Sequence, residues 1–126
     1  MARDILPEAK IHPSVRQQVA TYKDSRSVRE VQSAIAEHDV VVVGMSQNPF
    51  PGRARRLLES KGIAHKYLGY GSYLSQWRVR LPLKMWSGWS TFPMIFVKGT
   101  LIGGFRDLAQ LLASGEFQQL LHAPRE

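Results

Sequence analysis

Four consecutive valines, Val40 to Val43, constrain this chain more than any other feature. A short β-branched run with no polar residue presents apolar side chains on both faces. It therefore reads as a strand buried on both sides and central in its sheet. Such a strand needs helices above and below it, and the flanking pattern supplies them. Upstream, Val28, Val31, Ala34 and Ile35 repeat at helical spacing up to His38, with Ser27 as the expected N-cap and Glu30 completing a capping box. Downstream, Gly44 to Pro51 reads as a loop. Ala54, Leu57 and Leu58 then share one face of a helix expected over Arg53 to Ser60 and ended by Lys61-Gly62. Ile63 to Leu68 is a second strand, parallel to the first because a helix connects the two.

Beyond Gly69, the stretch Leu74 to Arg80 predicts a helix stopped by Pro82, with Trp77, Trp86 and Trp89 punctuating the region. Met94 to Val97, Lys98-Gly99 and Thr100 to Ile102 predict a β-hairpin. Leu108, Leu111 and Leu112 mark a helix ending at Ser114-Gly115, and Phe117, Leu120 and Leu121 a last turn or short closing helix. At the other end, Met1 to Pro13 is an irregular arm, and Val15, Val19 and Tyr22 form one stripe of a short helix. A βαβ unit followed by a ββα unit is an α/β fold with a four-stranded mixed sheet flanked by helices. Residues 1–38 are expected to form an arm and helices packing on a domain spanning residues 39–126.

Composition then narrows the chemistry. The chain of 126 residues contains no cysteine, which excludes disulfides, thiolate nucleophiles and cysteine-ligated zinc or iron–sulfur sites supplied by the protein. Its four histidines fall at spacings that match no metal motif, so no metal site is expected. Seventeen Lys and Arg against ten Asp and Glu leave a charge of +7, which favours acidic partners: carboxylates, phosphates, nucleic acid or an acidic protein. The longest apolar run is far shorter than the roughly 20 residues of a bilayer span, and the first residues show no signal-peptide core. No membrane association is expected, and a cytoplasmic location is.

The stretch Trp86 to Gly104 (Trp-Ser-Gly-Trp-Ser-Thr-Phe-Pro-Met-Ile-Phe-Val-Lys-Gly-Thr-Leu-Ile-Gly-Gly) closely resembles the monothiol glutaredoxins. In that family a Trp-Pro-Thr-x-Pro-Gln element leads into a hairpin ending in Gly-Gly. The closing Leu-Leu-Ala-Ser-Gly-Glu-Phe is similar to the family's Ser-Gly-Glu-Leu ending, and the likeness runs from Asp39 to Leu121. It implies the glutaredoxin branch of the thioredoxin fold. The departure lies at the family's active-site segment, Cys-Pro-Tyr-Cys or Cys-Gly-Phe-Ser, where this chain reads Asn48-Pro49-Phe50-Pro51. Asn48 stands for the nucleophilic cysteine and Pro51 for the second cysteine or serine. An amide nitrogen forms no mixed disulfide, so no catalytic residue and no cluster bridged by the chain's own thiolate is expected.

The resemblance also implies a ligand site built partly from backbone. Thr91-Phe92-Pro93 matches the Thr-x-Pro loop whose proline is cis, leaving the N–H and C=O of Phe92 to pair with an extended thiol peptide such as glutathione. The helix after Asn48 would aim unpaired N–H groups at the position of the glutathione sulfur. Arg80 and Lys84 align with basic residues that grip a carboxylate, whereas the family's lysine ahead of the first cysteine aligns with Met45. In the segment Gly103-Gly104-Phe105-Arg106, Arg106 replaces the family's aspartate with opposite charge, and Asp107 follows as partial compensation. Two lost charged contacts, roughly 1.5–3 kcal/mol each, weaken binding by about two to four powers of ten. Glutathione is thus expected to bind weakly.

Three functions stay open from the sequence. The first is a cysteine-free module that binds glutathione, a thiol peptide or a protein partner without thiol–disulfide turnover. The second is a transferase that activates glutathione's own thiol through Ser46 or Asn48. The third is nucleic-acid binding through Arg53, Arg55, Arg56, Arg78, Arg80 and Lys84 with Tyr73, Trp77 and Trp86, although those charges read as an exposed helix face and the tryptophans as core. A homodimer through the N-terminal arm is one way to cover Val15, Val19 and Tyr22.

Overall fold

The computed structural model describes residues 25–71 and 77–124, with only the backbone of residues 77 and 78. The expected helix at Ser14 to Tyr22, the arm before it and the side chains of Tyr73, Trp77 and Arg78 lie outside the described residues. The described elements run α1 (Arg26–Glu37), β1 (Val40–Gly44), α2 (Pro49–Ser60), β2 (Lys66–Gly69), α3 (Trp77–Ser87), β3 (Met94–Val97), β4 (Thr100–Gly103), α4 (Phe105–Ser114) and α5 (Glu116–His122).

The valine run does what its composition demands. The sheet order is β2-β1-β3-β4, with β1 parallel to β2 and antiparallel to β3, and with β3 antiparallel to β4. Because strand side chains alternate, Val41 and Val43 join Met94 and Phe96 on one face, where Val28, Val31 and Ala34 of α1 and Leu83 of α3 cover them. Val40 and Val42 join Ile95 and Val97 on the other face, under Ala54 and Leu58 of α2, Leu108 of α4 and Phe117 of α5. All four valines are at most 1% exposed, and each fully buried valine contributes roughly 1.5 kcal/mol or more.

The hairpin turn is the expected Lys98-Gly99. Both residues have positive φ, 51° and 80°, the condition of a two-residue turn that matches strand twist. Helix α4 ends at Gly115, whose φ of 86° is the left-handed stop expected there.

Four sequence expectations are corrected. Ser27 is not the cap of α1: Ser25 is, accepting from the N–H of Val28. Ser27 is instead buried, and its hydroxyl donates to the carbonyl of Val79 on α3 at 2.7 Å, a partner set by tertiary packing. Helix α2 starts at Pro49, four residues before the expected Arg53, because Asn48 caps it and Pro49 fits its first turn. Pro82 does not stop α3, which continues to Ser87. Pro82 is itself buried and the adjacent Leu83 is fully buried in the core on the Val41–Val43 face, and that burial offsets the one backbone hydrogen bond that Pro82 removes. Strand β2 is confined to Lys66–Gly69, because only those residues pair with Val41 to Gly44.

Gly44 sets the approach of the next helix. A Cβ there would lie 2.6 Å from Cβ of Pro51 and 3.0 Å from the ring of Tyr67, so α2 packs its first turn directly on the end of β1. No helix among the described residues is long and apolar enough to cross a membrane.

Candidate functional site

Three chain segments far apart in sequence meet at one end of the sheet: the start of α2, the loop before β3 and the start of α4. The Phe92–Pro93 peptide is cis, as the resemblance implied. The side chain of Asn48 joins the first two segments. Its Oδ1 accepts from the N–H of Phe50 at 2.9 Å, and its Nδ2 donates to the carbonyl of Phe92 at 3.0 Å. One amide thus caps a helix and braces it to the loop.

The third segment closes over the second. A Cβ on Gly104 would sit 3.6 Å from the carbonyl oxygen of Pro93 and 3.9 Å from the Trp89 indole, so the start of α4 lies against the loop. The rings of Phe50 and Phe105 approach to 6.1 Å, tying the starts of α2 and α4 together. Two cations lie against the rings here: Arg53 lies 5.2 Å from the centre of Phe50, and the Lys84 ammonium 5.8 Å from that of Phe92. Phe92 and Pro93 are buried, whereas Phe50, Arg53, Thr91 and Arg106 are exposed.

The helix terminus does not present the unpaired donors expected of it. Pro49 and Pro51 have no N–H, and the N–H of Phe50 is already bound by Asn48. Of the orphan donors at that end, only the N–H of Asn48 itself remains for an outside acceptor. An anion-binding terminus has become one capped by its own chain.

Arg80 also departs from its expected role. It is 5% exposed, and its Nη1 donates to the carbonyl of Tyr70 at 2.9 Å. The guanidinium therefore holds the segment after β2 onto α3 instead of lining the surface with Lys84. Nor does Asp107 compensate for Arg106, since its carboxylate turns back to accept from the N–H of Gly104 at 2.9 Å and caps α4. The Ser46 hydroxyl, a candidate for thiol activation, donates to the carbonyl of Gly71 at 3.0 Å. The Tyr70 phenol is pushed up to about 12, first by burial and then by Glu30, with Arg26 opposing. Among the described residues no three His, Asp or Glu side chains cluster as a metal site.

The cap-and-brace role of Asn48 escaped the sequence reading, yet a signal existed: Asn followed by Pro is a preferred N-cap and first helical residue. The sequence offers Arg53 as a nucleic-acid contact, and its placement over Phe50 depends on the helix beginning at Pro49.

No family model matches the chain. A glutaredoxin-like protein of Dictyostelium discoideum is 46% identical over 88 residues, which cover 70% of this chain and 72% of the relative. The chain belongs to the glutaredoxin family. A probable monothiol glutaredoxin of Legionella pneumophila is 35% identical over 77 residues, 61% of this chain and 83% of the relative. Among solved structures, a buckwheat glutaredoxin in complex with glutathione superposes with a TM-score of 0.67 at 19% identity, covering 83% of this chain and 91% of the other. That likeness is one of fold. The chain has a four-stranded mixed sheet and a cis Phe92–Pro93 loop, and it contains no cysteine.

Proposed function

We propose that this member of the glutaredoxin family is a binding module that takes glutathione, a thiol peptide or a segment of a protein partner, with no thiol–disulfide turnover of its own. The observation that carries the reading is the Asn48 amide. It stands where the family's nucleophile stands and is engaged at both of its polar ends, to Phe50 and to Phe92. A side chain held this way performs no exchange chemistry, and it keeps the loop and helix in place as a surface. The Phe92 carbonyl has a second lone pair for a ligand N–H. Lys84 supports a carboxylate contact, whereas Arg80, being buried, does not. The glutathione complex of the buckwheat neighbour makes glutathione the first ligand to test.

The same geometry counts against a transferase. Activating a glutathione thiol requires donors aimed at the sulfur, and here two prolines and a self-capped N–H occupy the helix start while the Ser46 hydroxyl serves Gly71.

The test pairs two measurements. Amide-shift titration with reduced glutathione should move signals at Asn48, Phe50, Gly52, Thr91, Phe92 and Gly103 to Asp107, with weak, millimolar-range affinity. A glutathione-coupled assay on a mixed disulfide should show no rate above the uncatalysed one. Turnover carried by the protein would overturn the reading, as would shifts confined to the opposite end of the sheet.

A further inference from the structure

The end of the sheet that carries Asn48 joins positive charge to exposed apolar surface. Phe50, Leu81 and Met85 are the large hydrophobic side chains left exposed among the described residues, at 41%, 36% and 47%. Leu81 and Met85 stand one turn apart on α3, next to Lys84, whose ammonium reaches the Phe92 ring. Phe50 carries Arg53 over its ring and meets Phe105, next to the exposed Arg106. Contacts tie the segments behind these side chains together: Lys84 to the Phe92 ring, the Phe92 carbonyl to Asn48, Asn48 to Phe50, and Phe50 to Phe105. The one carboxylate among the residues of these segments, Asp107, is turned onto the N–H of Gly104. Among the described residues, no ion pair engages Arg53, Lys84 or Arg106.

We infer that this surface docks a cysteine-independent acidic segment of a partner protein, with carboxylates facing Arg53, Lys84 and Arg106 and apolar side chains seated on Phe50, Leu81 and Met85. The inference deepens the binding reading and rests on it. Charge complementarity selects the partner's sign, since a cationic surface steers and retains an anionic one. The exposed apolar side chains select its class. A nucleic-acid strand would need several aromatic faces for stacking, whereas two of the three large exposed hydrophobic side chains among the described residues, Leu81 and Met85, are not aromatic. Among the described residues, Trp86 packs at a tilt against the buried Phe96.

The experiment is fluorescence anisotropy on the full chain with three labelled probes: a cysteine-free peptide of Glu and Leu, its Lys and Leu counterpart, and oligouridine. The Glu–Leu peptide should bind, the Lys–Leu peptide should not, and oligouridine should bind more weakly than the acidic peptide. Raising salt from about 50 to about 300 mM should weaken acidic-peptide binding roughly fivefold. The double variant R53E/R106E should weaken it roughly tenfold or more. Both of those residues are exposed, and an unchanged circular dichroism spectrum verifies the fold. The variant L81S/M85S should weaken binding without changing the salt dependence. Equal binding of the Lys–Leu peptide, tighter binding of oligouridine, or indifference to R53E/R106E would overturn the inference. Glutathione shifts without acidic-peptide binding would overturn it and leave the broader binding reading standing. Thiol–disulfide turnover would overturn that broader reading and leave the peptide result to be judged by itself.

Discussion

Replacing Asn48 by alanine removes two interactions at once, and the structure lets each be sized. Loss of an Asn N-cap costs about 0.5–2 kcal/mol. Loss of a partly buried neutral hydrogen bond, here the one to the Phe92 carbonyl, costs about 0.5–1.5 kcal/mol. Together these predict a destabilisation of about 2 kcal/mol for Asn48→Ala, and a fall in Tm of roughly 8 °C for a domain of this size. Asn48→Asp separates the two contributions. The carboxylate still accepts from the N–H of Phe50 and favours the helix dipole, but it cannot donate to Phe92. Its cost should fall between wild type and alanine. Urea and thermal unfolding followed by circular dichroism measure both variants, and hydrogen exchange at the Phe50 amide reports the cap directly. An Asn48→Ala protein within about 0.5 kcal/mol of wild type would refute the reasoning, because that is the range of an ordinary surface substitution. Full stability in Asn48→Asp would refute the brace while sparing the cap.

Further expectations concern neighbouring residues. Arg80→Ala should cost about 2–4 kcal/mol, since it empties a buried site and leaves the Tyr70 carbonyl unpaired, whereas Lys84→Ala should cost about 1 kcal/mol or less; equal effects in chemical denaturation would contradict the burial of Arg80. Gly44→Ala should cost about 1–3 kcal/mol by forcing Cβ against Pro51 and Tyr67, and unchanged thermal stability would contradict that close approach. The Tyr70 phenol keeps its proton up to about 12 in the folded state, while an unfolded tyrosine releases it near about 10. Between those values the unfolded chain binds fewer protons than the native one, so stability should fall as pH rises through that window. Alkaline difference absorbance should show a late-ionising tyrosine, and Tyr70→Phe should abolish that late step.

Local signals determined much of the architecture. Four adjacent β-branched residues cannot hide on one face of a strand, so Val40 to Val43 dictated a doubly covered central position and helices on both sides. Gly99 and Gly115 carry their freedom for positive φ within themselves, which made the hairpin and the end of α4 legible. The absence of cysteine settled one class of chemistry outright. Tertiary packing decided the rest. Ser25 and Ser27 are chemically interchangeable as caps, and only the arrival of the Val79 carbonyl beside Ser27 chose between them. Pro82 carries a fixed penalty in a helix, and the burial that overrides it comes from residues distant in the chain. Arg80 looks like a surface cation until the Tyr70 carbonyl is placed next to it. Asn48 and Phe92 are separated by 44 positions, so no local pattern reveals that one amide joins them. Backbone preference is written residue by residue, whereas the partner of a polar side chain depends on where the whole sheet brings the chain together.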